Sequence, residues 1–243
     1  MFYYKLILRY DGTGYSGWQL QPGRPTIQGA LEKALKKITR QSVRVAGASR
    51  TDAGVHALEQ VAVFGLAKEW DLYRLQGALN AVLPENIAVL SVRRLKRQIK
   101  PTHARFKIYH YKVWNHLVRD PLLNNRAWWV RHPLDRKRIC KAMSHLTGEH
   151  DFSSFAASDR STKTSVRNIA AAEVTAQGDL LIFKFKANGF LRGMVRNLVG
   201  TLVDVGRGRI APDAMKKILA RRDRRAAGPS APASGLYLVR VRY

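Results

Sequence analysis

The chain has 243 residues, of which 43 are Lys or Arg and 17 are Asp or Glu, for a net charge of +26. A 46% hydrophobic share at this length supports a globular chain with a real core and excludes a disordered one, and no apolar run approaches the roughly 18 residues needed to cross a bilayer. One cysteine, Cys140, excludes an intrachain disulfide and leaves no zinc motif; it is expected as a buried or half-buried thiol inside a helix.

In chain order, Tyr3 to Asp11 alternates and reads as a strand, and the charges Lys5, Arg9 and Asp11 set this start apart from a secretory signal, so a cytoplasmic protein is expected. Thr26 can cap a helix whose apolar residues Ile27, Ala30, Leu31, Ala34, Leu35 and Ile38 recur at helical spacing. Ser42 to Ala48 and Leu58 to Phe64 read as strands. Leu72 to Val82 reads as a helix stopped by Leu83-Pro84, and Ile87 to Leu95 as a strand. The order β-α-β-β-α-β then recurs. Arg105 to Trp114 is a strand, Pro133 to Leu146 a helix with Gly148 past its end, and Val166 to Thr175 with Leu180 to Ala187 a hairpin. Phe190 to Val205 is a helix, Pro212 to Ala220 a shorter added one, and Leu236 to Val241 a closing strand. Ala156 to Thr164 is expected to be a mobile loop and Ala226 to Ser234 a flexible connection.

This order is that of the split β-α-β, ferredoxin-like unit. The expected fold is α+β: two tandem ferredoxin-like halves forming a pseudo-symmetric, mixed but mainly antiparallel sheet with a basic cleft between them. The halves are expected at residues 1–103 and 104–243. The excess of positive charge, with clusters at Arg93–Arg97 and Arg221–Arg225, calls for a polyanionic partner. A nucleic acid fits better than an anionic membrane face, because no basic amphipathic helix stands out.

Gly12-Thr-Gly14-Tyr-Ser-Gly17 matches the glycine pattern of a dinucleotide-binding turn, but Pro22 and Gly23 separate it from the helix that would have to open within it. It reads instead as a turn that lets backbone come close to something. The most informative segment is Gly47-Ala-Ser-Arg-Thr-Asp-Ala-Gly-Val-His56. Arg50 and Asp52 are two apart, so in extended chain they share a side. A carboxylate near a guanidinium stays ionised, as nucleophilic catalysis at carbon requires, and Gly54 allows a tight turn behind it. His56 suggests a base, but a structural histidine is the commoner case. Trp128-Trp129 could stack on a base, although packing is more usual for such residues, and Trp18 and Trp70 read as core or rim.

SRTDAGVHA resembles the signature of the tRNA pseudouridine synthases of the TruA type, usually GRTDAGVHA. Seven further segments match that family in order: YDGTGYSGWQLQP (10–22), TIQGALEKAL (26–35), LNAVLPENIAV (79–89), HARFKIYHYKVWN (103–115), HDFSSF (150–155), MVRNLVG (194–200) and GLYLVRVRY (235–243). The resemblance implies Asp52 as the catalytic aspartate, Arg50 beside it, and Arg196 as an arginine paired with it. It implies Tyr109 as the aromatic that stacks on the target base and Tyr111 as the next tyrosine along the strand. The segment between His103 and Tyr109 is shorter than in many relatives, so Tyr111 is the other candidate for stacking; Ser49 stands where many members have Gly. Also implied are a homodimer without metal or organic cofactor and a substrate in the anticodon stem-loop of tRNA, at family positions 38, 39 and 40. The chemistry suits these residue types. A uridine must be flipped from its stack, held by a ring face, and rejoined to its sugar through carbon with no net redox change or hydrolysis.

Overall fold

The structure, a computed structural model, describes residues 1–157 and 164–243; most of the loop expected over Ala156–Thr164 lies outside the described residues. Among the described residues there are five α-helices and ten strands, an α+β fold. The sheet is mostly antiparallel and includes one short parallel pair. No described helix is long and apolar enough to cross a membrane. The chain divides into two compact units, residues 1–105 with 238–243, and residues 106–237.

In the first unit, β1 (Phe2–Tyr10) alternates so that Tyr4, Leu6, Leu8 and Tyr10 are buried. It pairs with β3 (His56–Leu66) on one side and β4 (Ile87–Leu95) on the other. Helix α1 (Ile27–Thr39) starts where Thr26 accepts a hydrogen bond from the Gly29 N–H, and it buries Ile27, Leu31, Ala34 and Leu35. Helix α2 (Leu72–Val82) has the expected bounds. The Asp71 side chain caps it, and Leu83, forced extended by Pro84, ends it.

The expected strand over Ser42–Ala48 shrinks to β2 (Ala46–Gly47), which pairs with β3. Helix α1 diverts the rest: the Val45 N–H is donated to Glu32 Oε1 at 3.0 Å, so it is not available to a ladder. The last strand, β10 (Leu236–Arg242), lies beside β3. There Arg240 grips Glu59 through two bonds of 2.8 Å.

In the second unit, β5 (Phe106–Trp114), β9 (Leu180–Ala187), β8 (Val166–Gln177) and β7 (Gly148–Asp151) lie side by side in that order. The two-residue β6 (Trp128–Trp129) pairs in parallel with β5. Both β6 and β7 are too short for alternation to reveal them. Helix α3 (Arg136–Ser144) opens at Asp135, later than expected, because it is this carboxylate that caps the Arg138 N–H. Its buried stripe is Ile139, Ala142 and Met143. Cys140 falls off that stripe and is exposed, correcting the expectation of a buried thiol.

Helix α4 (Met194–Gly206) begins four residues later than expected, after Gly193 in a left-handed conformation. Every residue of α4 except Arg196 is buried, and a helix apolar nearly all round belongs in a core. Helix α5 (Ala214–Arg221) packs near β7. The segment 226–234, expected to be flexible, is instead a strap laid on α4. Ala231 is fully buried, the Gly228 N–H is donated to Thr201 Oγ1 at 2.9 Å, and Arg224 donates to the carbonyls of Ala227 and Gly228.

Candidate active site

Asp52 stands half-buried in the loop between β2 and β3, with Arg50 exposed two residues before it. The loop is fixed on several sides. Behind Asp52, the Val55 N–H returns to the Asp52 carbonyl at 3.2 Å, closing a turn in which Gly54 takes φ +76°. Thr51 is buried, its hydroxyl 2.8 Å from that of Tyr10 on β1. The glycine-rich segment 12–17 clasps the loop from outside, since Trp18 N–H is donated to the Thr51 carbonyl and Gly54 N–H to the Tyr15 carbonyl. Gly17 has φ +93°, and a Cβ there would lie 2.6 Å from the Thr51 carbonyl oxygen, so only glycine fits. The close approach expected of this glycine turn is therefore to the Asp52 loop.

Two buried polar residues of β3 complete the support. Gln60 is fully buried and holds both backbone groups of Ser49, donating from Nε2 to its carbonyl at 2.6 Å and accepting its N–H at 3.2 Å. His56 is 2% exposed; its Nδ1 accepts the Gly12 N–H at 3.1 Å and lies 2.9 Å from Asp11 Oδ1. The two contacts exclude each other at any instant, because the first needs a lone pair on Nδ1 and the second a proton. In either state His56 ties the glycine turn to β3, which is a structural role.

The second unit carries the other expected residues. Tyr109 and Tyr111 alternate on β5 and share a face. Tyr109 is 6% exposed and meets the edge of Phe190, with ring centroids 5.0 Å apart. Tyr111 is fully buried and engaged at both ends, its ring against Trp128 and its hydroxyl donated to the Pro232 carbonyl at 2.7 Å. Burial pushes the Tyr111 hydroxyl far above its ordinary range, a rise that the charge of Arg196 opposes in part. Trp128 thus packs, as expected, while Trp129 is half-exposed with its indole N–H on the His116 carbonyl.

Arg196 lies in the first turn of α4 and is locked to the strap in both directions. Its Nε donates to the Ala231 carbonyl at 2.7 Å, and the Ala231 N–H is donated to the Arg196 carbonyl at 3.0 Å. Tyr111 and Arg196 are thus brought together through consecutive strap residues, Pro232 and Ala231. Arg50 and Asp52 stand together in the first unit. Sequence reasoning missed Gln60 and the strap. Among the described residues no group of three or more His, Cys, Asp or Glu side chains is placed to hold a metal ion.

Comparison with known proteins identifies the family. The profile of a family described as tRNA pseudouridine synthase matches residues 6–99 and 142–243. A tRNA pseudouridine synthase A of Pelobacter propionicus is 42% identical over 240 residues, covering 98% of both chains. One from Thermoanaerobacter sp. strain X514 is 41% identical over 242 residues, again covering 98% of both. One from Burkholderia cenocepacia is 43% identical over 242 residues, covering 98% of this chain and 88% of that one. By the profile match and by identity over nearly its whole length, the chain belongs to the tRNA pseudouridine synthase family.

Proposed function

We propose that this isomerase converts uridine to pseudouridine in the anticodon stem-loop of tRNA, at positions 38, 39 and 40, with Asp52 as its catalytic carboxylate. Arg50 stands beside Asp52, and Arg196 holds it ionised and oriented. Tyr109 offers the ring on which the flipped uracil stacks. Tyr111, whose ring and hydroxyl are both engaged, holds the strap to which Arg196 is bonded. The working enzyme is a cytoplasmic homodimer that needs no metal or organic cofactor.

The observation that carries this reading is the support given to Asp52. A polar loop between two strands is held by Gln60, His56, Thr51 and a glycine turn with room for no side chain at Gly17. Support on this scale suits a group that must be held in its reacting geometry. The carboxylate then works as a nucleophile at carbon, on the uracil ring or on the sugar.

The test is Asp52→Asn, which removes the charge and keeps the shape. Tritium release from tRNA labelled at uridine C5 is expected to vanish while tRNA affinity stays within about threefold, because phosphate contacts dominate affinity. Appreciable release by the pure variant sinks the assignment. A base-resolution pseudouridine map of tRNA treated with the wild-type enzyme checks the positions, and modification confined to another arm overturns the anticodon reading.

A further inference from the structure

The sheet of the second unit has two unlike faces. Tyr109 and Tyr111 of β5 are buried on one of them with Phe183 and Phe185 of β9, and the strap on α4 is bonded to Tyr111 there. Alternation turns His110 and Lys112 of β5, Lys184 and Lys186 of β9 and Glu173 of β8 to the other face. The register sets His110 beside Lys184, and Lys184 beside Glu173. The three lysines and His110 are half-buried, so this face stays open to solvent.

Charge on the open face is one-sided. Strands β5, β8 and β9 carry one acid among them, Glu173, and it meets Lys184 at 3.1 Å. Lys112 and Lys186 meet rings instead: the Lys112 Nζ lies 4.5 Å from the centre of the Tyr237 ring, and the Lys186 Nζ 4.2 Å from that of Phe106. A ring face orients an ammonium but leaves its charge whole. It also holds the side chain in place beforehand, so less rotamer freedom is lost on binding. The neighbours feel the field. His110 is held below its ordinary range by burial, then by Lys184 and Lys112, with Glu173 opposing; Lys112 is lowered by burial and then by Arg126.

We propose that this open face of β5, β9 and β8 is a second RNA-binding surface, on which Lys112, Lys184 and Lys186 take phosphates of the tRNA outside the anticodon arm. That placement rests on the reading of Tyr109 as the platform: an arm that delivers its uridine to Tyr109 lies on the opposite side of the sheet. A polyanion is the partner that the charge favours. A second copy of the same face would set lysine against lysine, and like charges brought together cost affinity. In other folds too, open sheet faces that combine rings and cations bind RNA.

The experiment measures binding across a salt series for two RNAs, a whole tRNA and its isolated anticodon stem-loop. The proteins are wild type, a triple variant combining Lys112→Gln, Lys184→Gln and Lys186→Gln, and Glu173→Gln. On whole tRNA the triple variant should flatten the plot of log affinity against log salt by about 2–3, at about 0.7–0.9 per phosphate. Glu173→Gln releases Lys184 from its acid and should steepen that plot by up to about 0.7–0.9, a gain that misfolding does not give. On the stem-loop both variants should match wild type in slope and in turnover. Wild-type slopes on whole tRNA in both variants overturn the proposal. An equal flattening on the stem-loop also overturns it, because the anticodon arm would then lie on this face. Loss of self-association in the triple variant with its tRNA slope unchanged would give the face to a second copy. Two tRNAs bound per wild-type chain, one of them lost in the triple variant, would give it to a separate RNA molecule; either result overturns the proposal. Wild-type turnover of the stem-loop by Tyr109→Ala overturns instead the platform reading on which the placement rests.

Discussion

Gln60 shows how much of a site depends on one buried amide. Its side chain satisfies the N–H and the carbonyl of Ser49, three residues before Asp52, from the middle of a strand. Gln60→Leu is nearly the same size but leaves both backbone groups of Ser49 without these bonds. An unsatisfied buried group costs about 1–3 kcal/mol. The variant should therefore lose about 1–3 kcal/mol in denaturant unfolding, and its single-turnover rate should fall further than its tRNA affinity. An unchanged rate in a destabilised protein would show that Gln60 serves the fold alone. The sequence points to Asp52 and Arg50 through the resemblance that SRTDAGVHA carries, since by itself an Asp-x-Gly segment between strands is more often only a turn. It hides Gln60, because a polar residue in an alternating strand reads as outward-facing, whereas this one is fully buried. Cys140 fails in the opposite direction: composition places a lone thiol in the core, and helical phase places it outside.

Among the elements, those whose ends carry their own chemistry were legible. Helix α2 matched to the residue because Asp71 caps it and Leu83-Pro84 stops it. Helix α4 did not, because Gly193 resets the backbone inside an apolar pattern that gives no sign of it. The strap was illegible for another reason. AAGPSAPAS has the composition of a linker, and what orders it lies about 30 residues earlier in the chain. It runs close over α4 at Gly200, where a Cβ would stand 1.7 Å from the Pro229 carbonyl oxygen. Backbone cannot swing aside as a side chain can, so Gly200→Ala must lift the strap. Overpacking of this kind costs about 1–3 kcal/mol, and lifting the strap loosens the Ala231 carbonyl that orients Arg196. The expected result is a stability loss of that size in denaturant titration, with kcat reduced and KM for tRNA little changed. Full kcat in a destabilised variant would separate the strap from the chemistry.

For the molecule as a whole, charge outweighs every other compositional signal, with 43 Lys and Arg against 17 Asp and Glu. Many of the acids are occupied locally: Glu59 with Arg240, Asp151 with Arg222, Asp213 with Lys141 and Asp223 with Arg225. The surplus repels itself until a polyanion neutralises it. With about 6–10 phosphates contacted, affinity for tRNA should fall roughly 10³–10⁵-fold between about 50 and 200 mM salt. The two basic clusters that look alike in sequence should not contribute alike. In 221–225, Arg222 and Arg225 face acids, and Arg224 is spent on the strap carbonyls and Asn197. In 93–97, Arg94 meets Glu69, while Arg93, Lys96 and Arg97 are exposed. Replacing Arg93, Lys96 and Arg97 together by Ala should flatten the plot of log affinity against log salt by about 2–3, at about 0.7–0.9 per phosphate. Replacing Arg222 and Arg225 should change that slope by less than about 1, because their charges are already met by Asp151 and Asp223. The measurement is tRNA binding across a salt series for wild type and both variants. Equal slopes for wild type and the triple variant would remove the 93–97 cluster from the RNA-binding surface, and a larger change in the double variant would reverse the assignment.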